Sequence, residues 1–199
     1  MILPMKTKLL NIGRYISLGT AIALGLAALV PNARADDKEI MENRGQLTAS
    51  DYKFVAEAAK GGLMEVDLGQ LAVQKAADPA VRHFGERMVQ DHRRLNQELT
   101  DLLARKGAIL PDNSSKKEGR MTEHLNVLTG SEFDRAYIKD MVRDHKKDVK
   151  AFQKEAEKAD DADLKSWVAK SLPIVQEHLQ QAESIKETIT GVKRTSRAD

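Results

Sequence analysis

Five histidines occur in the chain, and three of them fall at matched places. His92, His145 and His178 each lie at the centre of a run in which apolar residues recur every three or four positions, and Glu65 holds the same place in a fourth run. A carboxylate or an imidazolium in the middle of an apolar face costs several kcal/mol unless it is paired or bound to a metal. One carboxylate and three imidazoles together are a ligand set for a single transition-metal ion: Fe, Zn²⁺, Mn²⁺ or Cu²⁺. The same residues also fit a second reading, a polar layer in which Glu65 accepts hydrogen bonds from the histidines and fixes the register of the helices. A third is non-covalent haem held by two of the histidines. That needs a larger cavity and leaves Glu65 facing the haem with no evident part to play.

Other residues group around these four. The pattern Met-Val-x-Asp-His occurs twice, at 88–92 and at 141–145. Asp91 and Asp144 lie about 100° around the helix from the histidines they precede, at the edge of the apolar stripe. There each could orient a histidine of a neighbouring helix, as outer carboxylates do in metal sites, or simply face water. Asp134 lies on the inner face three turns above His145, or serves as a helix cap. His83 points away from its stripe and His124 falls in a connection, so both are expected at the surface. Gly61 and Gly62 precede Glu65 by one turn, where each costs about 1 kcal/mol against alanine. Gly85 precedes His92 by two turns. These glycines mark close helix packing or room for an ion or small ligand. Pro173 breaks the helical hydrogen bonding one turn before His178 and leaves the Ala169 carbonyl without its donor.

Four helices must position these residues. The first is expected from an N-cap at Ser50 to about Ala77, and the second from Asp78-Pro79 to Lys106, stopped by Gly107. The connection 108–130 holds a Pro111-Asp112-Asn113-Ser114-Ser115 loop and a short helix at 121–128. The third helix opens at Ser131, with Asp134 three residues on, and runs to about Ala159. The fourth follows the Asp160–Asp163 turn and runs to about Thr190. The expected inward faces are Phe54, Ala58, Gly61, Leu68, Ala72 and Ala76; Val81, Gly85, Met88, Leu95 and Leu99; Ile138, Met141, Val149, Phe152 and Ala156; and Leu164, Trp167, Ile174, Ala182, Ile185 and Ile189. Each helix is about 27 residues and about 40 Å long. Glu65 lies 13 residues before Asp78 and His92 lies 14 after it; His145 lies 16 before Asp161 and His178 lies 17 after it. In a hairpin, equal distance from the turn is equal height, so all four side chains belong to one layer. The fold class is all-α, an antiparallel four-helix bundle over 49–190. Its long connection either closes an up-down neighbour or crosses the bundle length.

The ends of the chain differ from this domain. Residues 1–35 read as a signal peptide: Lys6, Lys8 and Arg14, then an apolar run of 15 residues at 16–30, then Asn32-Ala33-Arg34-Ala35 as an A-x-A cleavage site. A retained membrane anchor would need about 20 apolar residues, so cleavage after Ala35 and a periplasmic location are expected, with no membrane insertion afterwards. Residues 36–48 read as a loose polar segment and 191–199 as a frayed tail. The leader carries four basic residues and no acid. Of 32 basic residues 28 remain against 30 acidic ones, a net −2 where the whole chain counts +2. No basic block survives, which argues against nucleic acid as a partner. With no cysteine, disulfides, thiolate zinc sites, iron–sulfur clusters and covalent haem are excluded. No Ser-His-Asp set or phosphate loop supports a hydrolase or kinase.

Several stretches together resemble the bacterial domain-of-unknown-function 4142 family, an exported group similar to ferritin-like bundles. They are Asp51-Tyr52-Lys53-Phe54, Gly61-Gly62-Leu63-Met64-Glu65, Met88 to His92, Phe133-Asp134-Arg135-Ala136-Tyr137, Met141 to His145, and Leu172-Pro173 with His178, spread over about 50–185. Members are often labelled outer-membrane proteins. The resemblance implies a ferritin-like fold with a metal site in its centre and implies no particular reaction. Di-iron ferritin-like proteins carry Glu-x-x-His on two helices. Here Val89, Val142 and Val175 stand three residues before the histidines, and only Glu65 matches a carboxylate ligand position, so the expectation is one metal ion rather than two.

Overall fold

The computed structural model describes residues 35–110 and 116–191. Residues 1–34, read above as a leader, residues 111–115, read as a loop, and residues 192–199, read as a frayed tail, lie outside the described residues. Among those described there are six helices and no strand: α1 Ala35–Asn43, α2 Ala49–Lys75, α3 Pro79–Lys106, α4 Lys116–Asn126, α5 Gly130–Lys158 and α6 Ala162–Thr190. The four long helices follow the expected order. The segment before them, read as loose, instead contains α1. The loop after α1 is tied to the C-terminus of α3: Gln46 N–H donates to the Lys106 carbonyl at 2.9 Å. Gly45 is required at that crossing, since its φ is +54° and a Cβ would stand 2.3 Å from the Lys106 carbonyl oxygen.

Local chemistry sets the helix ends. Asp78 accepts from Ala80 N–H ahead of Pro79, and Asp161 accepts from Asp163 and Leu164 N–H. Gly107, left-handed at φ 65°, closes α3. Two caps differ from expectation. Thr48, not Ser50, caps α2, its hydroxyl accepting from Asp51 N–H at 3.1 Å. The α5 helix starts at Gly130 behind Thr129, which makes no side-chain cap bond, and Ser131 lies inside the helix.

Asp134 does not cap its own helix. Its two carboxylate oxygens accept from Ala77 N–H (3.1 Å) and Asp78 N–H (2.9 Å) in the α2–α3 turn. Asp51, near the start of α2, does the same for Asp160 N–H (3.3 Å) and Asp161 N–H (2.9 Å) in the α5–α6 turn. Each helical hairpin thus supplies a buried carboxylate that satisfies the turn of the other. These bonds place the start of α5 beside the end of α2. Lys106, at the end of α3, pairs with Asp161 at 2.7 Å beside the start of α6. The chain between α3 and α5 therefore passes from one end of the long helices to the other, with Lys75 donating to the Asn126 carbonyl where α4 ends.

Two apolar clusters fill the interior. One contains Leu68, Phe84, Met88, Phe133, Tyr137, Met141 and Ile185. The other contains Tyr52, Val55, Leu99, Leu102, Phe152, Leu164 and Trp167. Most of the expected faces of α3, α5 and α6 are buried, with Val149, Ala156, Ile174 and Ile189 only half-buried. On α2 the first half is turned: Tyr52, Val55 and Ala59 are buried, whereas Phe54 and Ala58 are half-buried. Gly69 and Gly85 let α2 and α3 touch, because a Cβ on either would stand 2.8 Å from the other's carbonyl oxygen. Close packing, not room for a ligand, accounts for Gly85.

Candidate metal centre

Between the two apolar clusters lies a layer of ionisable side chains. Glu65, His92, His145 and His178 come from α2, α3, α5 and α6, and all are buried: Glu65 is 1% exposed, His92 7%, and His145 and His178 0%. The three imidazole rings pack together, with centroids 5.3 Å apart for His92–His178, 5.5 Å for His145–His178 and 6.0 Å for His92–His145. One nitrogen from each falls within 4.8 Å of the other two. Nitrogens sharing one tetrahedral ion at about 2.0–2.1 Å stand about 3.4 Å apart, so side-chain adjustments of about 1 Å or less would close the set on an ion. Rings at these separations leave no slot for a macrocycle, and the haem reading has no support.

Hydrogen bonding distinguishes the two nitrogens of two rings. His145 Nδ1–H donates to the Met141 carbonyl at 3.0 Å, and His145 Nε2 is buried without a partner. His178 Nε2–H donates to Asp91 at 2.9 Å, and His178 Nδ1 is buried without a partner. His92 Nε2 is likewise unpaired. Asp91 therefore does what its place at the stripe edge suggested: it orients a histidine of the neighbouring helix. Burial works to raise its pKa, but hydrogen bonds from His178, Arg94 and Arg87 outweigh that and lower it. Asp144 does not follow. It pairs with Arg143 (3.2 Å) and Lys147 (3.0 Å) and touches no histidine. His83 is exposed beside Glu86 and His124 is exposed, as expected.

Glu65 belongs to a second set. It shares the 4.8 Å criterion with His145 and Asp148, its oxygen lying 3.9 Å from His145 Nδ1, and both its carboxylate oxygens lack a hydrogen-bond partner. Asp148 was missed by the sequence reading, although two signals point to it. It lies one turn after His145, and it follows Glu65 by 83 residues, the spacing that also separates Asp51 from Asp134 and Asp78 from Asp161. The hairpins repeat, and Asp148 stands where Glu65 stands. Tyr137, buried nearby with an unpaired hydroxyl, was also missed.

Electrostatics follows from burial. Burial, then the carboxylates of Asp148, Asp144 and Asp140, push the Glu65 pKa well above its ordinary value. Burial, then Asp144, raises Asp148 to about 6. Burial, then the neighbouring His145 and His178, holds His92 well below an ordinary histidine. Burial, then His178, takes His145 down to about 3. Burial lowers His178 against the opposing pull of Asp91. The layer at neutral pH thus holds three neutral imidazoles, each with a lone pair to offer, beside a carboxyl whose proton burial holds more tightly than usual. Buried polar atoms ordinarily find partners, and each one left without costs about 1–3 kcal/mol. A layer that existed only to set register would bond to itself. Here no hydrogen bond joins Glu65 to any described histidine, and the orphaned atoms are those of a donor set.

A helical protein with a buried imidazole cluster between two apolar half-cores is the class that fold and site define. The chain belongs to the family described as domain of unknown function (DUF4142), which it matches over residues 38–185. No curated protein and no solved structure matches it.

Proposed function

We propose that this protein is an exported, ferritin-like antiparallel four-helix bundle that binds one transition-metal ion at His92, His145 and His178, with Glu65 as the adjacent carboxylate. The observation that carries the reading is the trio of buried, neutral imidazoles on three helices, each with one unpaired nitrogen, with one nitrogen from each ring within 4.8 Å of the others. Three nitrogens suit Zn²⁺, Cu²⁺ or Fe²⁺ better than a hard cation, with a fourth position left open. An ion there would supply a Lewis-acid centre; Asp91 would hold the His178 ring in place, and the Glu65 carboxylate would offset the added charge. The basic start, the apolar run at 16–30 and the A-x-A site support export to the periplasm, with the mature chain starting at Asp36.

Calorimetric titration of Zn²⁺ into chelator-treated protein at neutral pH tests the metal. One ion should bind per chain, release protons and raise the melting temperature. His145→Gln should abolish binding, Asp91→Asn should weaken it about 10–100-fold, and His83→Gln should leave it unchanged. No binding of Zn²⁺, Cu²⁺ or Fe²⁺, or an equal effect at His83, would return the layer to a register-setting role in a non-enzymatic envelope protein. N-terminal sequencing of the exported form tests the leader.

A further inference from the structure

Beside the candidate metal layer a cavity of about 450 Å³ opens between α2 and α5. Its rim reaches solvent at Glu57 and Lys147, both exposed, and its inner end is formed by Glu65 and His92. The size falls in the range of small-molecule sites and far exceeds what a bare ion needs. The apolar walls are aromatic. Phe54 and Phe152 meet edge to face with centroids 5.1 Å apart, and Phe152 and Trp167 lie 5.7 Å apart at 42°. Phe54, Ala58 and Gly61 recur at helical spacing on α2 and line this cavity at the edge of the second apolar cluster.

Two further observations indicate an occupant. Buried polar atoms among the lining residues have no partner: Trp167 Nε1, His92 Nε2 and both oxygens of Glu65. A buried indole N–H ordinarily finds an acceptor. The second is Gly61. Gly62 is explained by packing, since a Cβ there would meet the Asn96 side chain at 2.1 Å. At Gly61 a Cβ would meet nothing within 4 Å. Glycine in mid-helix costs about 1 kcal/mol against alanine, and at Gly61 no neighbour demands it. Its missing side chain leaves the cavity wall open.

We infer that this cavity binds a small monocyclic phenol, its ring against Phe54, Phe152 and Trp167 and its hydroxyl toward His92 and Glu65. A phenol offers what the lining lacks: a flat apolar ring, an O–H that donates to the unpaired nitrogen or carboxylate, and an oxygen that accepts from an N–H. The inference rests on the metal reading in one respect, that the oxygen end faces the ion-binding layer.

The chain has a single tryptophan, so ¹⁵N-labelled protein gives one indole N–H resonance, a direct reporter of the cavity. Phenol titrated into the chelator-treated protein should shift that resonance saturably. Toluene, of the same shape without the oxygen, and benzoate, whose charge would have to leave water for a buried end lined by Glu65 and His92, should each bind at least about tenfold more weakly, the scale of one hydrogen bond. Gly61→Leu, which puts a side chain into open space, should lose phenol binding with a melting temperature no lower than the parent's and unchanged Zn²⁺ affinity. No saturable shift, toluene binding as tightly as phenol, or full phenol binding by Gly61→Leu would overturn the inference. Phenol binding without Zn²⁺ binding would sink the metal reading alone; Zn²⁺ binding without phenol binding would sink the phenol site alone.

Discussion

Glu155 gives the most direct test of how the two hairpins are joined. It is buried on α5 beside the carboxylate of Asp51, whose oxygens accept the Asp160 and Asp161 N–H groups. Burial, then the Asp51 carboxylate, raises the Glu155 pKa from 4.5 to about 7. Each tenfold change in proton affinity is worth about 1.4 kcal/mol, so the ceiling is about 3.4 kcal/mol. The adjoining turn is open to water and Lys154 opposes the shift, and screening brings the expected value to about 1–2 kcal/mol. Because the folded carboxyl keeps its proton to higher pH than the unfolded one, this stability is complete below about pH 4.5. It is lost as pH rises through about 7. Glu155→Gln keeps the size of the side chain, can donate toward Asp51 and removes the titration. Urea unfolding of metal-free protein should find the variant within about 0.5 kcal/mol of the parent near pH 4, and more stable by about 1–2 kcal/mol near pH 8, with the same m-value. A difference that does not change with pH, or a variant weaker at about pH 8, would refute this account of the contact.

Two further outcomes follow from packing. Gly85→Ala should destabilise by about 1–3 kcal/mol, because its Cβ would stand 2.8 Å from the Gly69 carbonyl oxygen and 2.8 Å from Ala72 Cβ; Gly61→Ala, with nothing within 4 Å, should gain up to about 1 kcal/mol, and paired thermal melts check the opposite signs. Leu99→Ala, buried in the second apolar cluster, should cost about 2–5 kcal/mol by chemical denaturation, whereas exposed Lys154→Ala should stay within about 0.5 kcal/mol.

The sequence by itself determined the helices and the level at which the ionisable residues stand. Period 3.6 fixes a residue's rotation about its own helix, and distance from a tight turn fixes its height. Those two coordinates brought Glu65, His92, His145 and His178 into one layer, because Asp78-Pro79 and Asp161 are strong start signals and leave little doubt where the hairpins bend. They also put Asp91 where it meets His178. Rotation and height do not say which neighbour a side chain faces, and that was decided by tertiary packing. Asp134 looked like a cap for its own helix and instead satisfies the opposite turn, since only the assembled bundle brings those N–H groups to it. Asp144 and Asp91 occupy equal places in a repeated motif; one meets a histidine and the other meets Arg143 and Lys147, because α3 and α5 have different neighbours on that side. Phe54 and Ala58 carry the periodicity of a core stripe, yet α2 and α5 stand apart there and leave a cavity. The path of the long connection was equally open, because its length allows either route and only the end-to-end contacts select the crossing. Glu65 shares its layer with the histidines by height, but its closest ligand partner besides His145 is Asp148, a residue whose significance appears only when the two hairpins are laid face to face.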